Sequence, residues 1–132
     1  MSTPEVEAVL AWHEALNAGD AQRLAALSHP EVEVGGPRGS ARGRRVLGDW
    51  VARANVRLEP LRSFHSGRTV VVEEAATWRD ARTGETTGEA TVATVFGLDG
   101  GLVSKILRHD RLEDALRSVG LDRYDEVGSE QA

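Results

Sequence analysis

At Val56 the hydrophobic period of this chain changes from that of a helix to that of a strand, and any fold it adopts must accommodate that change. Upstream, Val6, Val9, Leu10, Trp12, His13 and Leu16 keep the i, i+3, i+4 spacing of an amphipathic helix. Two starts for it are open: Ser2 with Glu5 as a capping box, or Thr3 as cap with Pro4 as the first helical residue. Gly19 ends it, and Asp20 caps a short second helix carrying Leu24 and Leu27 that Pro30 closes. Val32-Glu33-Val34 alternates as a brief strand, and Gly35-Gly36-Pro37-Arg38-Gly39-Ser40 has the composition of a loop. Gly43 opens a third helix, with Val46, Leu47, Trp50, Val51 and Ala54 at helical spacing up to Asn55.

Downstream the period is two, which predicts antiparallel strands over 56–65, 69–79, 86–98 and 102–110. The separators Ser66-Gly67-Arg68, Ala81-Arg82-Thr83-Gly84 and Asp99-Gly100-Gly101 each carry a residue suited to positive φ. Pro60 requires an edge or a bulge, and Val103 can share a face with Ile106 only across a bulge. A last helical turn or two spans Asp114 to Val119, and Gly120 caps it. A chain of 132 residues has room for one core, so we expect a single domain over 1–121 and a polar tail over 122–132 that frays. Helices first and strands second predict an α+β fold: a cone-shaped curved antiparallel sheet packed against the N-terminal helices, with an interior lined by alternate strand residues.

Composition removes several functions. There is no cysteine for a disulfide, thiolate or zinc finger, and a net charge of −5 opposes nucleic-acid binding. No apolar run is long enough to span a membrane, and the start MSTPEVEA lacks a signal-peptide pattern, so the expected location is cytoplasmic. No histidine spacing fits a metal site, and none is expected.

A few polar residues stand out against this background. Glu74 shares strand parity with Val72, Ala76 and Trp78, placing one carboxylate on a mostly apolar face, unless Glu73 is the inward residue or Glu74 pairs with an arginine at the rim. Ile106, Arg108 and Asp110 share a face of the last strand and would set a cation beside a carboxylate, although Asp110 also suits the cap of the helix that follows. His13 reads as a core or rim histidine, and the three tryptophans as core formers. Arg38, Arg42, Arg44 and Arg45 cluster before the third helix; they could meet an anion, but they lack phosphate-loop spacing and a solvated surface is the default.

The run Trp12-His13-Glu14-Ala15-Leu16-Asn17-Ala18-Gly19-Asp20, then Glu31-Val32-Glu33-Val34, Pro37-Arg38-Gly39 and Gly43, followed by the four-strand meander, resembles the SnoaL-like branch of the nuclear transport factor 2-like superfamily. The resemblance implies a cystatin-like cone, usually a homodimer, with a pocket between sheet and helices. It also implies one of several activities without a cofactor (cyclase, isomerase, dehydratase or epoxide hydrolase) or no catalysis at all. Matched to the steroid isomerases of this superfamily, the positions of their tyrosine, base and buried acid fall on Trp12, Gly36 and Thr94, so ketosteroid isomerase activity is not expected. The same matching places Trp50, Glu74, Ala76, Trp78, Ile106, Arg108 and Asp110 around the cavity. The expected site is therefore catalytic Asp110, Arg108 and Glu74, with Trp12, His13, Trp50, Trp78, Thr94 and Ile106 around a small, largely apolar molecule. The alternatives are a homodimeric binding protein without catalysis, and a structural dimer whose cavity Trp12, Trp50 and Trp78 fill. Pairing through the sheet's outer face is expected from Val71, Ala93, Val95 and Leu107.

Overall fold

The structure, a computed structural model, describes residues 3–36, 38–80 and 82–127. In chain order it contains α1 (Pro4–Ala18), α2 (Ala21–Ala26), β1 (Ser28–Gly36), β2 (Gly39–Arg42), α3 (Arg44–Ala54), β3 (Val56–Ser66), β4 (Thr69–Arg79), β5 (Thr86–Asp99), β6 (Leu102–His109) and α4 (Leu112–Ser118). A short 3-10 turn follows at Arg123–Asp125. No helix among the described residues is long and apolar enough to cross a membrane.

The N-terminal caps come directly from side-chain chemistry. Thr3 accepts the Val6 amide and Pro4 takes the first helical position, where its missing N–H costs nothing. Ser2, the other candidate, lies outside the described residues. Asp20 accepts the Arg23 amide to start α2, and Asn55, at φ 44°, ends α3 in the left-handed region that asparagine tolerates. The stretch with loop composition forms a hairpin: β1 runs on to Gly36 and β2 returns antiparallel to it. Gly35 is required there, because a Cβ would overlap the carbonyl oxygen of Gly39.

Six strands form one sheet in the order β2-β1-β6-β5-β4-β3, giving the expected α+β fold. One pairing departs from an all-antiparallel sheet: β1 lies parallel to β6, because the chain crosses the sheet through α3 and the β3–β5 meander before β6 returns beside it. Pro60 meets both of its conditions, on an edge strand and beside a bulge between Pro60 and Arg62. The bulge needed near Val103 lies on β6 itself, where Gly97 pairs with Lys105 and Leu98 with Val103, leaving Ser104 as the extra residue, and Val103 and Ile106 enter the same core. Asn17 on α1 grips the edge strand β3 by donating to the Leu58 carbonyl at 2.8 Å and accepting the Leu58 amide at 2.9 Å.

The sheet has a core on each face. The inner one joins Val9, Trp12 and Leu16 of α1 to Val32, Leu47, Val72 and Phe96. Trp12 is fully buried, meets the Phe96 ring edge-on at 5.2 Å and donates its indole N–H to Ser28 Oγ. The outer core consists of Phe64, Val71, Ala93 and Val95 under Ala115, with Leu107, Leu112 and Leu116 packed against them. This corrects the expected dimer surface: α4 of the same chain already covers Val71, Ala93 and Val95, so burial of these residues requires no second copy.

The segment after α4 is paired with β3 where it is described. Glu126 bridges to Phe64 of β3, and the Val127 amide donates to Ser63 at 2.7 Å; the rest of the expected tail, 128–132, lies outside the described residues. Arg62 clasps Glu126 with two bonds of 3.0 and 2.9 Å, and these hold the Glu126 carboxyl below the ordinary carboxylate range. A depressed folded-state pKa contributes stability above the unfolded value that is lost as pH falls through the folded one. Hydrogen exchange at the Val127 amide should therefore accelerate, relative to that of core amides, below about pH 4. In Glu126→Gln this pH dependence should vanish; an unchanged profile in the variant would show that the clasp does not hold the segment.

Candidate functional site

A cavity of about 590 Å³ opens between α3, the β1–β2 hairpin and the inner face of the sheet. Strand alternation puts Leu58, Val92, Thr94 and Ile106 on its floor, all nearly buried. Trp50 from α3 and Trp78 from β4 are half-buried walls, and Arg38, Arg53 and Arg108 stand exposed around the opening. No aspartate, glutamate or histidine is among its described lining residues. Gly36 contributes only backbone to the wall.

Behind the floor lies a buried polar group. Glu74 faces inward, as its parity with Val72 and Ala76 requires, and is 0% exposed. In register Glu74 lies opposite Val92, so Thr94 on β5 is its diagonal neighbour, and the Thr94 hydroxyl donates to Glu74 Oε1 at 2.6 Å. The other oxygen, Oε2, lies 2.5 Å from Nε2 of His13, which projects from α1 and is 1% exposed. His13 Nδ1 is 2.8 Å from the Val9 carbonyl oxygen, which can only accept, so Nδ1 carries a proton and Nε2 is turned to the carboxylate. The His13 ring also rests against Phe96 at 5.2 Å, which fixes its orientation.

The expected catalytic trio does not converge. Arg108 and Thr94 are register partners across β6 and β5 and both line the cavity. Glu74 is one side chain behind them, bonded to Thr94 and His13 rather than to an arginine. Asp110 is 77% exposed and 3.8 Å from Arg108, and it is not a cavity-lining residue. The strand ends at His109, before parity could carry Asp110 inward. Asp110 does not cap α4 either: Arg111 occupies the cap position, with no side-chain bond. Of the expected substrate-binding set, Trp50, Trp78, Thr94 and Ile106 line the cavity, whereas Trp12 is in the core and His13 is bonded to Glu74. The arginine cluster divides as well, since Arg38 lines the opening while Arg44 donates to the Ser28 carbonyl at 3.0 and 2.8 Å and anchors β1. The association of His13, Glu74 and Thr94 needed the β4–β5 register and the angle of α1, neither of which the spacing of residues gives.

Known proteins resemble this arrangement in architecture. The structure is similar to that of an NTF2-like protein from Cytophaga hutchinsonii, with TM-score 0.70, 14% identity, and coverage of 86% of this chain and 96% of that one. It is also similar to an LEH-like epoxide hydrolase from M. tuberculosis, with TM-score 0.72, 18% identity, and coverage of 88% and 89%. TerC, co-crystallised with polyporic acid, matches with TM-score 0.71, 20% identity, and coverage of 88% and 97%. No curated protein matches the chain. At these identities the neighbours establish a shared fold, and the sequence supplies the closer relation. The model of the SnoaL-like domain matches residues 9–107, from the helix that carries His13 to the strand that lies beside Thr94, and the chain belongs to that family.

Proposed function

We propose that this chain is a cofactor-independent acid/base enzyme acting on a small, largely apolar molecule, with Glu74 and His13 as its proton store and Thr94 as the contact between store and substrate. The observation that carries this reading is Thr94, which lines the cavity floor while its hydroxyl donates to Glu74 Oε1; the reading assigns the lone pairs of that hydroxyl to a bound molecule. A carbon acid held there, the α-carbon of a carbonyl compound, passes its proton to Thr94 Oγ1 as Thr94 passes its own to the Glu74 carboxylate, the proton of the buried pair then being on His13 Nε2. The electron pair stays on the ligand as an enolate, and returning the proton to another carbon completes an isomerisation; in a cyclisation the enolate carbon instead bonds to a carbonyl carbon of the same molecule and the proton goes to the alkoxide so formed. Arg108, paired in register with Thr94, is the nearest candidate to stabilise the enolate charge. The walls of Trp50, Trp78, Val92 and Ile106 suit an apolar body and keep water from the transfer. Burial also supports this reading, because a desolvated ion pair adds little to stability over apolar residues of equal volume.

The catalytic part assigned to Asp110 from the sequence is transferred to Glu74, which has the burial and the route to the cavity that Asp110 lacks. A homodimer remains part of the proposal, with its contact outside the strip that α4 covers. A carrier without turnover is the second reading, favoured by the lack of any carboxylate or imidazole on the described lining itself. Proton exchange separates the two. In heavy water the protein should accelerate deuterium uptake at the acidic carbons of cyclic ketones and diketones such as β-tetralone, followed by proton NMR. Exchange no faster than in buffer across such a panel would favour the carrier.

A further inference from the structure

The proposed acid/base reading leaves the three arginines of the cavity opening only partly used. Arg38 comes from the β1–β2 turn, Arg53 from the last turn of α3 and Arg108 from β6, so three separate elements bring cations to one opening. Among the described residues neither Arg38 nor Arg53 has a carboxylate within 4.0 Å, and Arg108 has only Asp110, at 3.8 Å and largely in solvent. Arg53 spends its Nε–H on the Asp49 carbonyl of its own helix turn, which leaves its terminal nitrogens for other partners. This concentration of positive charge stands out in a chain with 21 acidic and 16 basic residues, since an opening with the average composition would carry acids too.

We infer that the ligand of this cavity is an anion: a planar apolar ring system that carries a carboxylate, its rings between Trp50 and Trp78 and its carboxylate held at the opening by Arg38 and Arg53, with Arg108 adjoining. Guanidinium groups match the two oxygens of a carboxylate and, being weakly hydrated, lose little on leaving water. The tryptophan walls hold flat apolar surface without fixing its chemistry, so the arginines decide which apolar molecules are retained. This inference deepens the proposed function by giving its substrate a charge, but it concerns binding alone.

The test compares β-naphthoate with β-naphthamide, which have the same rings and nearly the same shape, by calorimetry or quenching of tryptophan fluorescence at neutral pH. The naphthoate should bind at least about ten-fold more tightly, and raising the salt concentration should reduce that preference. Arg53→Gln and Arg38→Gln should each weaken the naphthoate several-fold and leave the amide unchanged. Equal binding of the two probes, tighter binding of the amide, or binding of neither would overturn the inference. Because Glu74→Gln leaves the opening intact, it should keep the naphthoate preference. A protein that discriminates between the probes but never accelerates proton exchange would retain the anion site and lose only the acid/base reading.

Discussion

Glu74→Ala is expected to destabilise the fold by about 3–5 kcal/mol, because it leaves a half-satisfied imidazole in the driest part of the molecule. Glu74 is fully buried and bonded on two sides; its removal orphans His13 Nε2 and the Thr94 hydroxyl together and opens a void between them. In a domain whose whole stability is roughly 5–15 kcal/mol, that is a fall of about 10–20 °C in melting temperature. Substituting both partners, as in His13→Leu with Glu74→Leu, should recover most of the loss, since an apolar pair of similar volume needs no hydrogen bonds. Thermal melts of the parent, the single variants and the double variant measure both effects in one cycle. A cost below about 1 kcal/mol for Glu74→Ala would mean that water reaches the site. Full recovery in the double variant would mean that the pair is present for a purpose other than stability.

Trp12→Ala should be as costly, about 3–5 kcal/mol, for a different reason. This side chain joins α1 to the sheet through the Phe96 ring and reaches the start of β1 through Ser28, whose own hydroxyl donates to the Leu24 carbonyl of α2 at 2.8 Å. Truncation removes the largest buried apolar surface of the inner core, and α1 alone cannot close the gap. Trp12→Phe keeps an aromatic contact with Phe96 and loses the bond to Ser28, so its cost should be nearer 1–2 kcal/mol by urea denaturation. If Trp12→Ala instead left stability unchanged and weakened ligand binding, the residue would belong to the cavity and not to the core.

The fold could be read from the sequence largely because its signals are local. Alternation fixed β3 to β6, with small differences at their ends, and Asp20, Gly43 and Asn55 marked helix boundaries by their own conformational preferences. What the residues could not announce was pairing at a distance. Nothing in Val32-Glu33-Val34 says that it will run parallel to a strand some seventy positions later, or that Gly35 and Gly36 will extend it into a hairpin. The same limit separates the parts of the site. Parity was enough to turn Glu74 inward and to put Arg108 beside Ile106, because parity is a property of one strand. It could not decide that Asp110 falls past the end of its strand, since one residue of strand length decides between cavity and solvent. Nor could it bring His13 to Glu74, sixty-one positions away, because that contact depends on how α1 crosses the sheet. The outer apolar strip was found correctly but assigned to a second copy, whereas α4, only a turn or two long in the sequence, folds back to cover it.

If the buried pair acts on the cavity through one hydroxyl, the deuterium-exchange rates of Thr94→Ser and Thr94→Val must differ. Both variants keep Glu74, His13 and the arginines, and their folding can be verified by the same melts. Thr94→Ser retains the hydroxyl and should exchange within a few-fold of the parent, whereas Thr94→Val, nearly identical in shape, should fall by about 100-fold or more, the usual worth of a positioned proton-transfer group. Exchange by Thr94→Val at the parental rate would contradict the account.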